Sequence, residues 1–273
     1  MSSIFLLISK KKCDIINHIG LYGGKMMKNV SILGVSFDAV NKNEASDLIF
    51  NACKNKSELP FTVVTPNPIM VMNAQEDEAL FSALASADLS LPDGIGIISA
   101  AKRMGTPLPE RVTGIDTAYS VLEKLADVGG SVYLLGARPE VAEKAAERLT
   151  EKLPTLRVVG THHGYFEDDA KIIKDISEKS PDLLAVCLGS PRQEIWVYKN
   201  RENLAGVGAI LCLGGALDVW SDNVKRAPAF LIRLRLEWLW RMLLEPKRMK
   251  ELPKMVRFRL LTGKSRQKRK SFK

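Results

Sequence analysis

LLAVCLGSPRQE, residues 183–194, is the stretch on which the fold turns. Its first six residues are all apolar, with no alternation. A strand apolar on both faces belongs inside a sheet covered by helices on each side, the usual setting of parallel strands. Gly189 and Ser190 break the run. Pro191 then suits the opening of a helix, where its missing N–H is not needed. Polar side chains, Arg192 and Gln193 among them, project from the first turn.

Working outward, the same unit recurs. Short β-branched and apolar runs fall at Val30–Leu33, Phe61–Thr65, Leu89–Leu91, Ser131–Leu135, Arg157–Gly160, Leu183–Leu188 and Ala209–Leu213. Helix-period segments lie between them. Glu44–Lys54 places Ala45, Leu48, Ile49 and Ala52 on one face, Arg138–Lys152 follows a Gly-Ala-Arg-Pro turn, and Asp168–Lys179 opens on acids, as helix N-termini favour. This alternation predicts an α/β fold: a mostly parallel sheet with helices on both faces. The 273 residues, 46% of them hydrophobic, suffice for one such domain with an appendage.

In open parallel sheets, ligands bind beyond the carboxyl ends of the strands, at a topological switch point. The turns there carry the unusual residues. Thr65-Pro66-Asn67-Pro68 holds two small polar groups between rigid prolines, which suits either pre-positioned substrate contacts or a stiff connection. In Leu91-Pro92-Asp93-Gly94-Ile95-Gly96, Asp93 is either a helix N-cap or a general base at the sheet end. Arg111, beside the helix start after Val112-Thr113-Gly114, suits a diphosphate or a surface ion pair. Gln193 can recognise an amide or hydroxyl, and Arg192 faces phosphate or solvent. Gly214-Gly215 permits close backbone approach to a ligand. Asp218 suits ribose hydroxyls or a cap.

Charge divides the chain. Residues 225–273 hold 17 Lys/Arg against 3 Asp/Glu, a charge of +14, which leaves 23 basic and 28 acidic residues, or −5, for the rest. From Pro228 the tail reads AFLIRLRLEWLWRMLLEP, with Arg233, Glu237, Arg241 and Glu245 forming a narrow polar stripe on an otherwise apolar helix that includes Trp238 and Trp240. Arg248 and further basic runs follow. Such a basic amphipathic appendage suits an anionic membrane surface, at about 1 kcal/mol per basic residue near the leaflet. Packing on the body or in a homo-oligomer interface is the competing reading. Nucleic acid is not the expected partner, because the terminal basic cluster lacks interleaved aromatics. No stretch reaches the roughly 20 apolar residues of a membrane span.

Residues 1–26 suit the fold poorly and are expected to be a non-native or disordered extension, with translation starting at Met26 or Met27. The expected division is therefore 1–26, a domain at 27–224 and an appendage at 225–273. Of the four cysteines, Cys187 and Cys212 sit in apolar runs as small core residues, which suits a reducing cytoplasm. No metal or cofactor is expected. Asp-x-Asp, G-x-G-x-x-G after a strand, the P-loop and G-x-S-x-G are all missing from the sequence. His162 and His163 are expected on opposite faces of a strand, unsuited to joint ligation.

TPNP, LPDGIG, PERVTGID, GSPRQE, GGALD and KRAP, in this order, make the chain resemble the WecG/TagA/CpsF glycosyltransferases, and its TagA branch most, from about Met27 to the end. The resemblance implies a Rossmann-like fold and an inverting, metal-independent enzyme at the inner face of the plasma membrane. It implies transfer of N-acetylmannosamine from a UDP-sugar donor, UDP-ManNAc, to the 4-hydroxyl of undecaprenyl-diphosphate-linked GlcNAc. By motif position Asp93 takes the general-base role, Arg111 is the natural diphosphate partner, and Thr65, Asn67 and Gln193 line the pocket. Arg241 and Arg248 fall where appendage arginines reach the site. A different donor (UDP-ManNAcA or UDP-glucose) and a non-catalytic sugar-nucleotide or membrane-binding module are the readings to be excluded. A nucleotide-dependent oxidoreductase is disfavoured by the missing fingerprint.

Overall fold

The fold comes from a computed structural model that describes residues 28–225, 227–228, 231, 239–240 and 246–270, the side chains of 246–248 and 264–270 excepted. The expected extension at 1–26, and Arg233, Trp238 and Arg241, lie outside the described residues. Arg248 lies in a 3₁₀ turn at Pro246–Glu251, with its side chain outside that description.

Eight strands are described: β1 Asn29–Ile32, β2 Val35–Asp38, β3 Phe61–Val64, β4 Leu89–Ser90, β5 Ser131–Gly136, β6 Arg157–His162, β7 Leu183–Cys187 and β8 Ala209–Cys212. The last six form one parallel sheet in the order β4-β3-β8-β7-β5-β6. The expected α/β, Rossmann-like architecture is what the chain adopts. The first strand departs from expectation. It does not join the sheet but pairs antiparallel with β2 across Leu33-Gly34. Both turn residues have positive φ, so a tight hairpin forms before the chain can cross to the sheet.

The helices are α1 Lys42–Lys54, α2 Pro68–Asn73, α3 Glu78–Ser86, α4 Ile95–Arg103, α5 Gly114–Asp127, α6 Val141–Lys152, α7 Asp169–Lys179, α8 Arg192–Asn200, α9 Ala216–Trp220 and α10 Leu252–Lys270. α1 starts two residues before Glu44 because Asn41 and Glu44 form a reciprocal capping box. α6 starts three residues after Arg138, because Ala137 and Glu140 take left-handed backbone conformations that a helix cannot include.

Alternate residues of the central strands feed two cores. Leu183, Ala185 and Cys187 face α1, α5, α6 and α9, while Leu184 and Val186 face the hairpin, α2, α3, α4, α7 and α8. This explains the unbroken apolar run: both faces are covered, and each buried Leu contributes about 1.5–3 kcal/mol. The buried thiols of Cys187 and Cys212 belong to these cores, and burial raises the first to about 12.

Polar groups at the strand starts pair with one another. Asp88 accepts from the Thr62 N–H and hydroxyl and from Arg201, and Asp182 accepts from the Ser131 N–H and hydroxyl. The carboxyl ends differ. Adjacent strands β3 and β8 send their following helices, α2 and α9, to opposite faces of the sheet. That divergence is the switch point at which a crevice opens.

α10 lies outside α2 and α4. Phe258, 2% exposed, enters the second core, Thr262 accepts from Arg103 at 2.9 Å, and Lys254 donates to Asn73 at 2.6 Å. This part of the tail therefore packs on the body. Among the described residues no helix is long and apolar enough to cross a membrane.

Candidate active site

Four strand-end segments converge at the switch point. Thr65 leaves β3 with its hydroxyl donating to the Cys212 carbonyl at 3.3 Å, which ties the end of β3 to the end of β8. Asn67 caps α2: its side-chain oxygen accepts from the N–H groups of Ile69 at 2.9 Å and Met70 at 3.1 Å. That oxygen serves the helix, so the amide nitrogen is the end suited to donate to a substrate.

The turn after β4 rests on the turn after β3. A Cβ on Gly96 would lie 2.6 Å from Pro68 Cγ, and one on Gly94 would lie 3.3 Å from Pro68 Cδ and 3.8 Å from Asn67 Cβ. Only glycines permit this approach, and Gly94 also has φ +109°. The contact brings the turn that carries Asp93 against Asn67. Asp93 does not cap α4; the N-cap position is Gly94. Asp38 holds this region from behind, accepting from the Ser90 N–H at 2.8 Å.

Arg111 reaches Asp93 from the loop between α4 and α5. Its Nη2 lies 3.5 Å from Asp93 Oδ1, with the two side chains 23% and 29% exposed. The backbone beside it is fixed by the Val112 N–H donating to the Pro92 carbonyl at 3.2 Å. Gly114 opens α5 against Thr65, where a Cβ would lie 2.8 Å from Thr65 Cγ2 and 3.4 Å from Leu213 Cδ2. An acid and a guanidinium, both reachable by solvent and both carried by glycine-packed turns, therefore share the crevice.

The remaining candidates divide. Gly214, at φ +58°, and Gly215 form the turn after β8, and among the described residues nothing beyond the chain neighbours stands within 4 Å of where a Cβ on Gly214 would be. Gln193 sits behind that turn and is 3% exposed, its oxygen accepting from the Gly214 N–H at 3.0 Å. Asp218 lies in the first turn of α9, its carboxylate close to Gly215. Arg192 turns elsewhere: it donates to the Gly164 carbonyl at 2.6 Å and lies over the Phe166 ring at 4.8 Å, which anchors the loop after β6. That loop also holds His163. The two histidine rings lie 4.6 Å apart, not on opposite faces, because His163 is already past the end of the strand. Among the described residues no three His, Cys, Asp or Glu side chains gather as a metal-ligand set.

Sequence reasoning missed the residues that support the site from behind. Asp38 and Gly114 are in or beside quoted motifs or strands and support backbone, while Glu194 accepts from the Gln193 side chain at 2.7 Å. A buried acid next to a strand end is the signal that points to Asp38, and the acid after Gln193 is the one that points to Glu194.

Comparison with known proteins identifies the family. The Glycosyl transferase WecG/TagA/CpsF family model matches residues 30–271. An N-acetylglucosaminyldiphosphoundecaprenol N-acetyl-beta-D-mannosaminyltransferase of Bacillus spizizenii (strain ATCC 23059 / NRRL B-14472 / W23) is 38% identical over 197 residues, covering 71% of this chain and 76% of the relative. A protein of the same name from Bacillus subtilis (strain 168) is 32% identical, covering 77% and 82%. Another from Staphylococcus aureus (strain NCTC 8325 / PS 47) is 33% identical, covering 89% and 96%. With the family model spanning both the strand-end turns and α10, the chain belongs to the WecG/TagA/CpsF family of glycosyl transferases.

Proposed function

We propose that this enzyme transfers N-acetylmannosamine from UDP-ManNAc to the 4-hydroxyl of GlcNAc-diphosphoundecaprenol, with inversion and without a metal ion, early in the synthesis of wall teichoic acid or a related surface polysaccharide. The observation that carries the reading is the Asp93–Arg111 pair at the switch point, 3.5 Å apart, in a chain of this family. The names of the relatives supply the acceptor and the transferred sugar. Their beta configuration is the product of inversion if the donor carries the α-linkage usual in UDP-sugars.

An inverting displacement needs a base on the acceptor side and charge stabilisation on the UDP side. Asp93 takes the proton of the acceptor hydroxyl as its oxygen bonds to the anomeric carbon, a contribution of about 10²–10⁴-fold. The bond to the UDP oxygen breaks, and its electron pair leaves with the diphosphate. Arg111 stabilises that developing charge. The guanidinium lies beside Asp93, and the donor diphosphate competes for it. Thr65, Asn67 and the Gly214-Gly215 turn border the bound sugar and nucleotide.

The enzyme works as a peripheral protein on the inner face of the plasma membrane. Val256 and Leu260, one helical turn apart on α10, are 59% and 61% exposed, and Arg257 and Arg259 beside them are exposed as well. This outward stripe of apolar and basic residues suits an anionic lipid surface. The test is UDP release from a panel of UDP-sugars with a short-chain lipid-diphosphate-GlcNAc acceptor, with and without EDTA, followed by assignment of the anomeric configuration of the product. Acceptor-dependent release from UDP-ManNAc that survives EDTA is expected. Strict preference for another donor overturns the donor assignment, and release that needs no acceptor overturns the transfer.

A further inference from the structure

We propose that Glu194 is a positioning residue: it orients Gln193, and through Gln193 it fixes the Gly214-Gly215 turn that borders the crevice. For turnover this rests on the transferase reading above; for geometry it does not.

A carboxamide can sit either way round in a pocket unless its partners tell its two ends apart. Gln193 is 3% exposed and must make its bonds inside the protein. Its Nε2 donates to Glu194 Oε1 at 2.7 Å, and its Oε1 accepts from the Gly214 N–H at 3.0 Å. Glu194 Oε1 is the acceptor on that side, so it holds the amide end of Gln193 toward it. The carbonyl end then faces Gly214. Reversed, the carboxamide would set an N–H against the Gly214 N–H.

The turn has little else to hold it there. The sheet ladder ends where the Leu213 N–H donates to the Val186 carbonyl. One residue later Gly214 is in a left-handed conformation, and among the described residues beyond its chain neighbours no atom lies within 4 Å of where a Cβ would stand. Among the described residues, the Gln193 carbonyl is what holds its N–H. Neighbouring residues on a helix do not ordinarily face each other, so the 193–194 bond is peculiar to this first turn of α8.

Glu194 is itself an expensive side chain to keep. It is 2% exposed, and burial raises its pKa, opposed by the hydrogen bond from Gln193. A buried carboxyl of that kind is retained where it orients something. Arg201, which lines the same small cavity, is already engaged by Asp88 and by the Pro60 carbonyl, so Glu194 is not there to neutralise it.

The experiment compares Glu194→Gln, which can still accept from Gln193, with Glu194→Met, which cannot. Amide hydrogen exchange at Gly214 reads the relay directly, and the donor KM in the UDP-release assay reads its consequence. Glu194→Met is expected to speed Gly214 exchange at least tenfold and raise the donor KM at least fivefold, with kcat changed less. Glu194→Gln is expected to stay within about twofold of wild type on both. Gln193→Met serves as the second variant should Glu194→Met not fold, with the same exchange result expected. Unchanged protection of Gly214 in a folded Met variant overturns the proposal, as does a Gln variant as impaired as Glu194→Met. If the wild type releases no UDP, the transferase reading fails and the exchange data still judge the relay.

Discussion

Gly96→Ala tests whether the two strand-end turns are held in register as described. The new Cβ would lie 2.6 Å from Pro68 Cγ. Carbon atoms are comfortable at about 3.5–4.0 Å, so the contact must open by roughly 1 Å. Pro68 is a rigid ring in the first turn of α2, directly after Asn67, and cannot rotate away. The displacement therefore falls on the Asp93–Gly96 turn. Overpacking costs about 1–3 kcal/mol, while replacing a helical Gly by Ala returns about 1 kcal/mol. The net loss of stability is about 0–2 kcal/mol, a fall in Tm of at most about 8 °C for a body of this size. Catalysis should suffer far more, because a shift of about 1 Å in a reacting group can cost about 100-fold. Expected, then, is a folded variant with a modestly lowered Tm by calorimetry and kcat for UDP release down about 100-fold. Gly263→Ala is the control. It sits in α10, where among the described residues outside its own turn of helix no atom lies within 4 Å of its added Cβ, and should leave kcat unchanged. Wild-type kcat in Gly96→Ala, at any Tm, would refute the idea that Pro68 sets the position of Asp93.

Three further outcomes follow from the same geometry. Phe258→Ala removes the anchor of α10 and should cost about 3–5 kcal/mol locally, seen as faster hydrogen exchange across α10 and along the outer faces of α2 and α4. Paired Val256→Glu and Leu260→Glu changes touch only the exposed side of α10, and should weaken co-sedimentation with anionic liposomes at least fivefold while turnover of a soluble acceptor holds. They are a cleaner test than truncation before Pro228, which would also strip Phe258 from the second core. Burial pushes the Asp182 carboxyl upward, but hydrogen bonds from Ser131 and the charges of Lys56 and Lys54 outweigh it, so its pKa falls below the ordinary value. The resulting stability is present above the ordinary carboxylate pKa and is lost as pH falls through the folded one. Asp182→Asn should flatten the acid side of the Tm–pH curve, and an unchanged curve would contradict the assignment.

The sheet was legible because its strands are buried on both faces. Runs such as residues 183–188 have no polar face and can only be interior. The β1–β2 hairpin was not legible, because Leu33 takes the left-handed conformation that a Gly or Asn normally signals, so the turn left half its mark. The candidate site was legible to the extent that its residues sit at strand ends, as Thr65, Asn67 and Asp93 do; Arg111 joins them from the loop between α4 and α5. What the sequence could not reveal is which end of a side chain is engaged. Gln193 and Arg192 are neighbours on one helix turn, yet one faces the Gly214 turn and the other faces the loop after β6. Helix phase assigns a direction only once the neighbouring loops are in place. The tail's charge pointed to a membrane but carried no sign of α10 packing on the body, because Phe258 and Thr262 are two residues of the buried side among many basic ones.

The central claim is that Asp93 is the base of an acceptor-dependent sugar transfer. It is tested most directly by kcat for UDP release from UDP-ManNAc with a lipid-diphosphate-GlcNAc acceptor, measured side by side for wild type and Asp93→Asn. Acceptor-dependent turnover is expected in the wild type and a loss of at least about 100-fold in the variant, with an unchanged circular dichroism spectrum. Turnover by Asp93→Asn within a few-fold of wild type would contradict it.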